Sequence, residues 1–216
     1  AVIITMKSTL VGKHKLTGVF FPLPEYYITF THGPPSDKSI LDVDKNVVNA
    51  GDQVKAFITP YDIYGNRIDA HEFETNNPFT VYYRPEGENS DINIPKFEIE
   101  EMDGGSVISY PVTLTKAGVT KVSGFVNESP LNTRDVTVLP GDMDFLKSKV
   151  YRFNPNLKKF EILTNGTVEK NNETDPIYRL FPVDKYGNDL EFIPEEKLNQ
   201  LVSYLNSQAE KDVFYY

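Results

Sequence analysis

Gly12-Lys13-His14-Lys15-Leu16-Thr17-Gly18-Val19-Phe20 returns about 106 residues later as Gly118-Val119-Thr120-Lys121-Val122-Ser123-Gly124-Phe125-Val126, without a gap. Two further echoes follow. Ile28-Thr29-Phe30-Thr31-His32-Gly33 returns as Val136-Thr137-Val138-Leu139-Pro140-Gly141, and Pro60-Tyr61-Asp62-Ile63-Tyr64-Gly65-Asn66 as Pro182-Val183-Asp184-Lys185-Tyr186-Gly187-Asn188. Ordered self-similarity at a long period marks one structural unit used repeatedly. An array of this kind points to a scaffold or adhesive rod ahead of an enzyme.

The period is present in full from about residue 34 to residue 142. In Gln53-Val54-Lys55-Ala56-Phe57-Ile58-Thr59, residues Val54, Ala56 and Ile58 alternate with Lys55 and Thr59, as in a half-buried strand. Asp62 to Asn66 reads as a tight turn, its Gly and Asn both able to take positive φ. Phe79 to Tyr83 is a β-branched and aromatic run, and Lys96 to Glu100 alternates with Phe97 and Ile99 on one face. Asp103-Gly104-Gly105 is a hairpin signal. Val107 to Val112 follows as a strand whose central pairing Pro111 limits. With Ser39 to Val43, Val119 to Val126 and Asp135 to Leu139, this makes about seven short strands separated by turns. Such spacing predicts an all-β fold of the immunoglobulin-like sandwich type.

The flanks are read from the same period. Residues 1–33 match the last strands of a preceding repeat, and 143–216 the first strands of a following one with insertions. The expectation is one complete and two partial repeats in tandem, cut from a longer protein. Pro194 to Leu205 opens with a proline and early acids and places Leu198, Leu201, Val202 and Leu205 on one helical face. It predicts a short helix near the C-terminus. Val213-Phe214-Tyr215-Tyr216 reads as the counterpart of Thr80 to Tyr83.

Composition narrows the partners. The net charge of −9 argues against a nucleic-acid or anionic-membrane surface, both of which need cation-rich patches. No run approaches the roughly 18 apolar residues of a membrane span. With no cysteine, disulfides and thiolate metal sites are excluded, which leans toward a reducing, cytoplasmic setting. Sequons at Asn127, Asn165 and Asn172 keep an extracellular alternative open. His14, His32 and His71 are scattered, and neither a nucleophile elbow nor a phosphate loop is present. Asp42-Val43-Asp44-Lys45-Asn46 imitates the start of a calcium loop, but Val47 stands where glycine is needed and Gln53 where a bidentate Glu belongs. Glu98, Glu100, Glu101 and Asp103 read as a solvated acidic face. No catalytic, cofactor or metal residue is assigned.

The run Asp103 to Gly118 resembles the middle of a filamin-type immunoglobulin-like repeat, with its Asp-Gly turn, Tyr-bearing strand and Gly opening the next strand. Ser129-Pro130 followed by Val136 to Gly141 is similar to the close of such a repeat, and Lys147-Ser148-Lys149-Val150 to the opening of the next. One departure is Leu131-Asn132-Thr133-Arg134, which intervenes after the Ser-Pro. Bacterial immunoglobulin-like adhesin repeats also carry Asp-x-x-Gly-Asn turns and remain an alternative. The filamin resemblance implies a non-enzymatic structural protein in a cytoskeletal or other filament assembly, with proteins as partners through sheet edges or inter-repeat contacts. A cell-surface or gamete adhesin is the alternative. The resemblance further implies a partner strand beside the third and fourth strands, Phe79 to Tyr83 and Lys96 to Glu100. Thr80, Tyr82, Phe97 and Ile99 are the expected groove residues, with the core as the competing destination for Phe97 and Ile99.

Overall fold

Strand periodicity here yields paired sheets because each strand buries one face. The computed structural model describes residues 5–17, 25–144, 146–154, 158–162 and 178–191. The chain divides into two compact units, 1–48 with 52–114 and 118–137, and 49–51 with 115–117 and 138–216.

In the first unit, β1 (Gly12–Leu16) and β2 (Tyr26–Phe30) form an antiparallel ribbon with Gly12 opposite Phe30. The strands that follow are β3 (Ile40–Val43), β4 (Val47–Asn49), β5 (Gln53–Thr59), β6 (Phe79–Arg84) and β7 (Ile92–Asn93). They continue as β8 (Glu98–Met102), β9 (Gly105–Thr113), β10 (Gly118–Val126) and β11 (Ser129–Leu139). One sheet has the order β4-β11-β10-β6-β7 and the other β3-β5-β9-β8. The fold is an immunoglobulin-like β-sandwich.

Between residues 34 and 142, nine strands stand where seven were expected. β4 and β7 are the additions, each only two or three residues long. β3 matches the expected run from Ser39 to Val43, and the chain after it crosses to the other sheet as β4. A single 3-10 turn, Ala70–Phe73, is also added among the described residues, with Asp69 accepting the His71 N–H at 3.1 Å as its cap.

The core is the product of alternation. Val54, Ala56 and Ile58 of β5 are fully buried, while Phe57 between them is half-buried. Leu41, Ile108, Val122 and Val136 from both sheets complete it. Gly124 lets the sheets approach: a Cβ there would lie 3.3 Å from Leu131 and 3.6 Å from Leu41 of the opposite sheet. Tyr110 crosses the interior and donates its hydroxyl to the Phe79 carbonyl at 3.1 Å. Burial pushes its pKa up to about 12 against a hydrogen bond from Asn77.

Sequence departures have local causes. Asn127 and Glu128 both take positive φ, 44° and 71°, making a two-residue hairpin of the kind a type I′ turn requires. That turn pulls Leu131 to Arg134 into β11. Asn132 then accepts from Leu41 N–H at 2.8 Å and donates to its carbonyl at 2.7 Å, binding β3 to β11 by a side chain. Pro111 is tolerated in the inner strand β9 because the β8 ladder ends at the Glu98–Ser109 pair.

In the second unit, β12 (Lys149–Asn154) lies between β13 (Lys159–Ile162) and β14 (Tyr178–Phe181), antiparallel to both. The Tyr151 and Phe181 rings meet edge-on at 4.8 Å. The expected helix over Pro194 to Leu205, the strand at Val213 to Tyr216 and the sequons at Asn165 and Asn172 lie outside the described residues.

Candidate functional site

β6 and β8 end up in different sheets, and this divides the four expected groove residues. Thr80 and Tyr82 project from β6 into a surface groove of about 680 Å³ shared with Asn77, Asp91, Phe125 and Asn127. Tyr82 meets Phe125 edge-on at 5.7 Å, and Thr80 stands opposite Phe125 across the ladder. Phe97 packs instead toward Tyr110, with ring centroids 6.1 Å apart. Ile99 pairs across β9 with the fully buried Ile108. Neither Phe97 nor Ile99 lines the Thr80–Tyr82 groove.

The backbone of β6 is already engaged along its outer edge. Phe79 N–H donates to Asn77 Oδ1 at 2.9 Å, and its carbonyl accepts from Tyr110. Ile94 N–H donates to the Val81 carbonyl at 2.9 Å, and β7 pairs with Tyr82 and Tyr83. β8 differs, because no strand lies beyond it among the described residues. An edge of this kind presents main-chain donors and acceptors to solvent.

The β8 edge is acidic and partly neutralised. Lys55 Nζ donates to Glu100 at 2.9 Å, and this bond holds the Glu100 carboxyl below its ordinary pKa. Glu101 pairs with His71 at 2.9 Å, and Glu74 contacts the other ring nitrogen at 2.6 Å. Hydrogen bonds from the ring first to Glu74 and then to Glu101 raise the His71 pKa to about 9, which favours the cation at neutral pH. Glu98 has no ion pair among the described residues. No group of three or more His, Asp or Glu among the described residues is placed to hold a metal ion.

A second arrangement appears twice with the same atoms. In the first unit Asp62 is fully buried, and its Oδ1 accepts from the Tyr64 and Asn66 amides at 2.9 and 2.8 Å. Its Oδ2 accepts from Gly33 N–H at 3.0 Å and the Asn66 side chain at 2.8 Å. Asn66 turns outward to donate to Thr9 O at 2.8 Å and accept from Val11 N–H at 3.4 Å. In the second unit Asp184, also fully buried, accepts from Tyr186, Asn188, Gly141 and the Asn188 side chain at 2.8, 2.9, 2.8 and 2.7 Å. Asn188 donates to Thr115 O and accepts from Ala117 N–H, both at 2.8 Å.

Each carboxylate is therefore a four-armed acceptor. Burial favours the neutral acid, but hydrogen bonds from Asn66, Gly33 and Tyr64 outweigh it and hold Asp62 at about 2. The same balance lowers Asp184. Gly65 and Gly187 take positive φ, 82° and 90°. Asn66 and Asn188 do not, although the turn reading allowed it; their side chains do the work instead. Asp and Asn recur at both positions in the sequence, a visible signal, but nothing in it identifies the loops they grip.

No family model matches the chain, and no curated protein does. Among solved structures, the Escherichia coli adhesin FdeC is 19% identical over 76% of this chain, with a TM-score of 0.45. Yersinia pseudotuberculosis InvD is 18% identical over 77%, with a TM-score of 0.43. The Lin-41 filamin domain is 10% identical over 50% of this chain and is covered completely, with a TM-score of 0.35. The chain spans about half the length of the first two, 46% and 47%. The likeness concerns fold alone, and the immunoglobulin-like architecture rests on the sheet order and register described above.

Proposed function

We propose that this chain is a non-enzymatic interaction protein, a stretch of a tandem filamin-type array that takes partner strands at a sheet edge within a cytoskeletal or filament assembly. The observation that carries the reading is the contrast between β6, whose edge is occupied, and β8, which ends its sheet among the described residues. An added strand would gain main-chain hydrogen bonds from β8, while Phe97 and Ile99 support the edge from beneath. Glu98 and Glu100, on one face of β8, would favour a partner carrying Lys or Arg at alternate positions. The Thr80–Tyr82 groove is a separate surface that the chain of the same partner would reach after leaving β8. The absence of cysteine from the sequence supports the cytoplasmic setting.

The test is titration of the protein with lysine-bearing extended peptides, followed by isotope-edited infrared or NMR detection of new β pairing. Glu98→Lys is expected to weaken binding about tenfold at low salt with an unchanged circular dichroism spectrum. Equal binding by wild type and Glu98→Lys, or shifts confined to Thr80 and Tyr82, would move the site away from β8.

A cell-surface adhesin is the second reading, favoured by one observation. The Asn127-Glu128-Ser129 sequon occupies an exposed hairpin tip. Loss of mass on glycosidase treatment of native protein supports this reading, and an unmodified Asn127 supports the cytoplasmic one.

A further inference from the structure

The sequence repeats and the compact units do not coincide. Thr115 to Ala117 belong by sequence to the complete repeat, yet they fall in the same compact unit as the Asp184 to Asn188 turn. Thr9 and Val11 belong by sequence to the repeat before the one that carries Asp62 and Asn66, and again both share one unit. In each case the Asn side chain binds a carbonyl and the amide two residues further on: Thr9 O with Val11 N–H, and Thr115 O with Ala117 N–H. In each case the Asp takes a linker glycine, Gly33 or Gly141. The gripped residues are spaced like the sequence repeat, Thr9 to Thr115 and Val11 to Ala117 both matching its period of about 106.

We infer that the Asp-x-Tyr-Gly-Asn turn is a docking site for the backbone of the preceding sequence repeat. Its ligand is a short bent loop presenting one carbonyl and one amide two residues apart, together with one linker N–H. The chemistry explains the residue types. An Asn amide offers a donor and an acceptor side by side, matching the loop's carbonyl and amide as a pair. The buried carboxylate fixes the Asn rotamer through Nδ2 and neutralises the glycine N–H, which would otherwise be an unpaired donor in a low-dielectric setting. The asparagine reaches the loop through its main chain, and the loop's side chains differ, Thr9-Leu10-Val11 in one case and Thr115-Lys116-Ala117 in the other. The turn thus lets dissimilar repeats follow one another with a common attachment. This inference rests on the tandem-repeat reading but not on strand docking at β8.

The experiment is site-resolved amide hydrogen exchange on the whole chain. Asn188→Ala is expected to speed exchange at Ala117 by at least tenfold while Val11 stays at its wild-type rate, and Asn66→Ala to do the reverse. Asn188→Asp retains an acceptor for Ala117 N–H but sets a carboxylate against Thr115 O and Asp184, and is expected to free the loop as much as alanine does. Val122, in the core of the sandwich, is the internal reference and keeps its protection in all three variants. The inference is overturned if Ala117 keeps its protection in Asn188→Ala. It is equally overturned if Val122 or the opposite loop loosens along with the targeted one, because the turn would then support the fold generally. Peptide titration is a separate readout, so a failed β8 site and a failed turn site give different results.

Discussion

The two Asp-x-Tyr-Gly-Asn turns share the contacts of their aspartate carboxylates and asparagine side chains and differ in the surroundings of their tyrosine. Tyr64 is 62% exposed; Tyr186 is 40% exposed and lies over Gly51, where a Cβ would come within 2.5 Å of its hydroxyl. The polar part of the motif is therefore the invariant element. The tyrosine adds packing where a glycine makes room for it, and Gly51 at φ +101° is the position that does so. A motif repeated in sequence can thus hold one function in its hydrogen bonds and another in its apolar surface.

The comparison is broken most forcefully at the carboxylates. Asp62→Ala removes a buried carboxylate and leaves four part-buried hydrogen bonds unmade, so the first unit is expected to lose roughly 3 kcal/mol in denaturant unfolding. Asp184→Ala should leave that transition in place and act on the second unit. A loss below about 1 kcal/mol for Asp62→Ala would mean that water replaces the carboxylate, and the two turns would no longer be equivalent in kind.

Gly51→Ala comes next. Left-handed backbone costs about 1–2 kcal/mol for a residue with a Cβ, and the methyl group also collides with the Tyr186 ring. Adding Tyr186→Ala is expected to recover the collision but not the backbone cost, as read by thermal melts. Full recovery would assign the whole effect to the ring. Tyr64→Ala, by contrast, should change stability by less than about 0.5 kcal/mol, in line with other exposed substitutions.

Acid titration sharpens the same contrast with a smaller effect. Asp62 is held at about 2, below the value of an unfolded aspartate near 4. Its contribution is therefore complete above about pH 4 and is lost as pH falls toward about 2. Asp62→Asn should flatten that part of the stability profile. The smallest effect is expected at His71, raised to about 9 by Glu74 and Glu101. Its contribution is present in full below its unfolded pKa of about 6.5 and fades as pH rises through about 9. NMR titration of the ring reads this directly, and an apparent pKa near 6.5 would show that the ion pairs do not persist in solution.

Much of this was legible from the residues. β5 followed from the alternation of Val54, Ala56 and Ile58, because a period of two leaves only one face to bury. The β8–β9 hairpin followed from Asp103-Gly104, and the repetition of the turn from matching letters. The assignment of Phe97 and Ile99 to a shared groove with Thr80 and Tyr82 was not settled in the same way, since the pattern shows a strand's two faces but not its sheet. Asn127-Glu128 lacks the usual glycine of a two-residue hairpin, so the length of β11 was hidden as well.

Local chemistry in the chain specified strands, turns and their recurrence, because backbone geometry and hydrophobic period act over a few residues. Folding in three dimensions added which edges stay open and which loops the asparagines hold. Those outcomes depend on groups brought together from far apart, such as Tyr110 with Phe79 and Asn188 with Thr115. No short window of sequence contains both partners of such a bond.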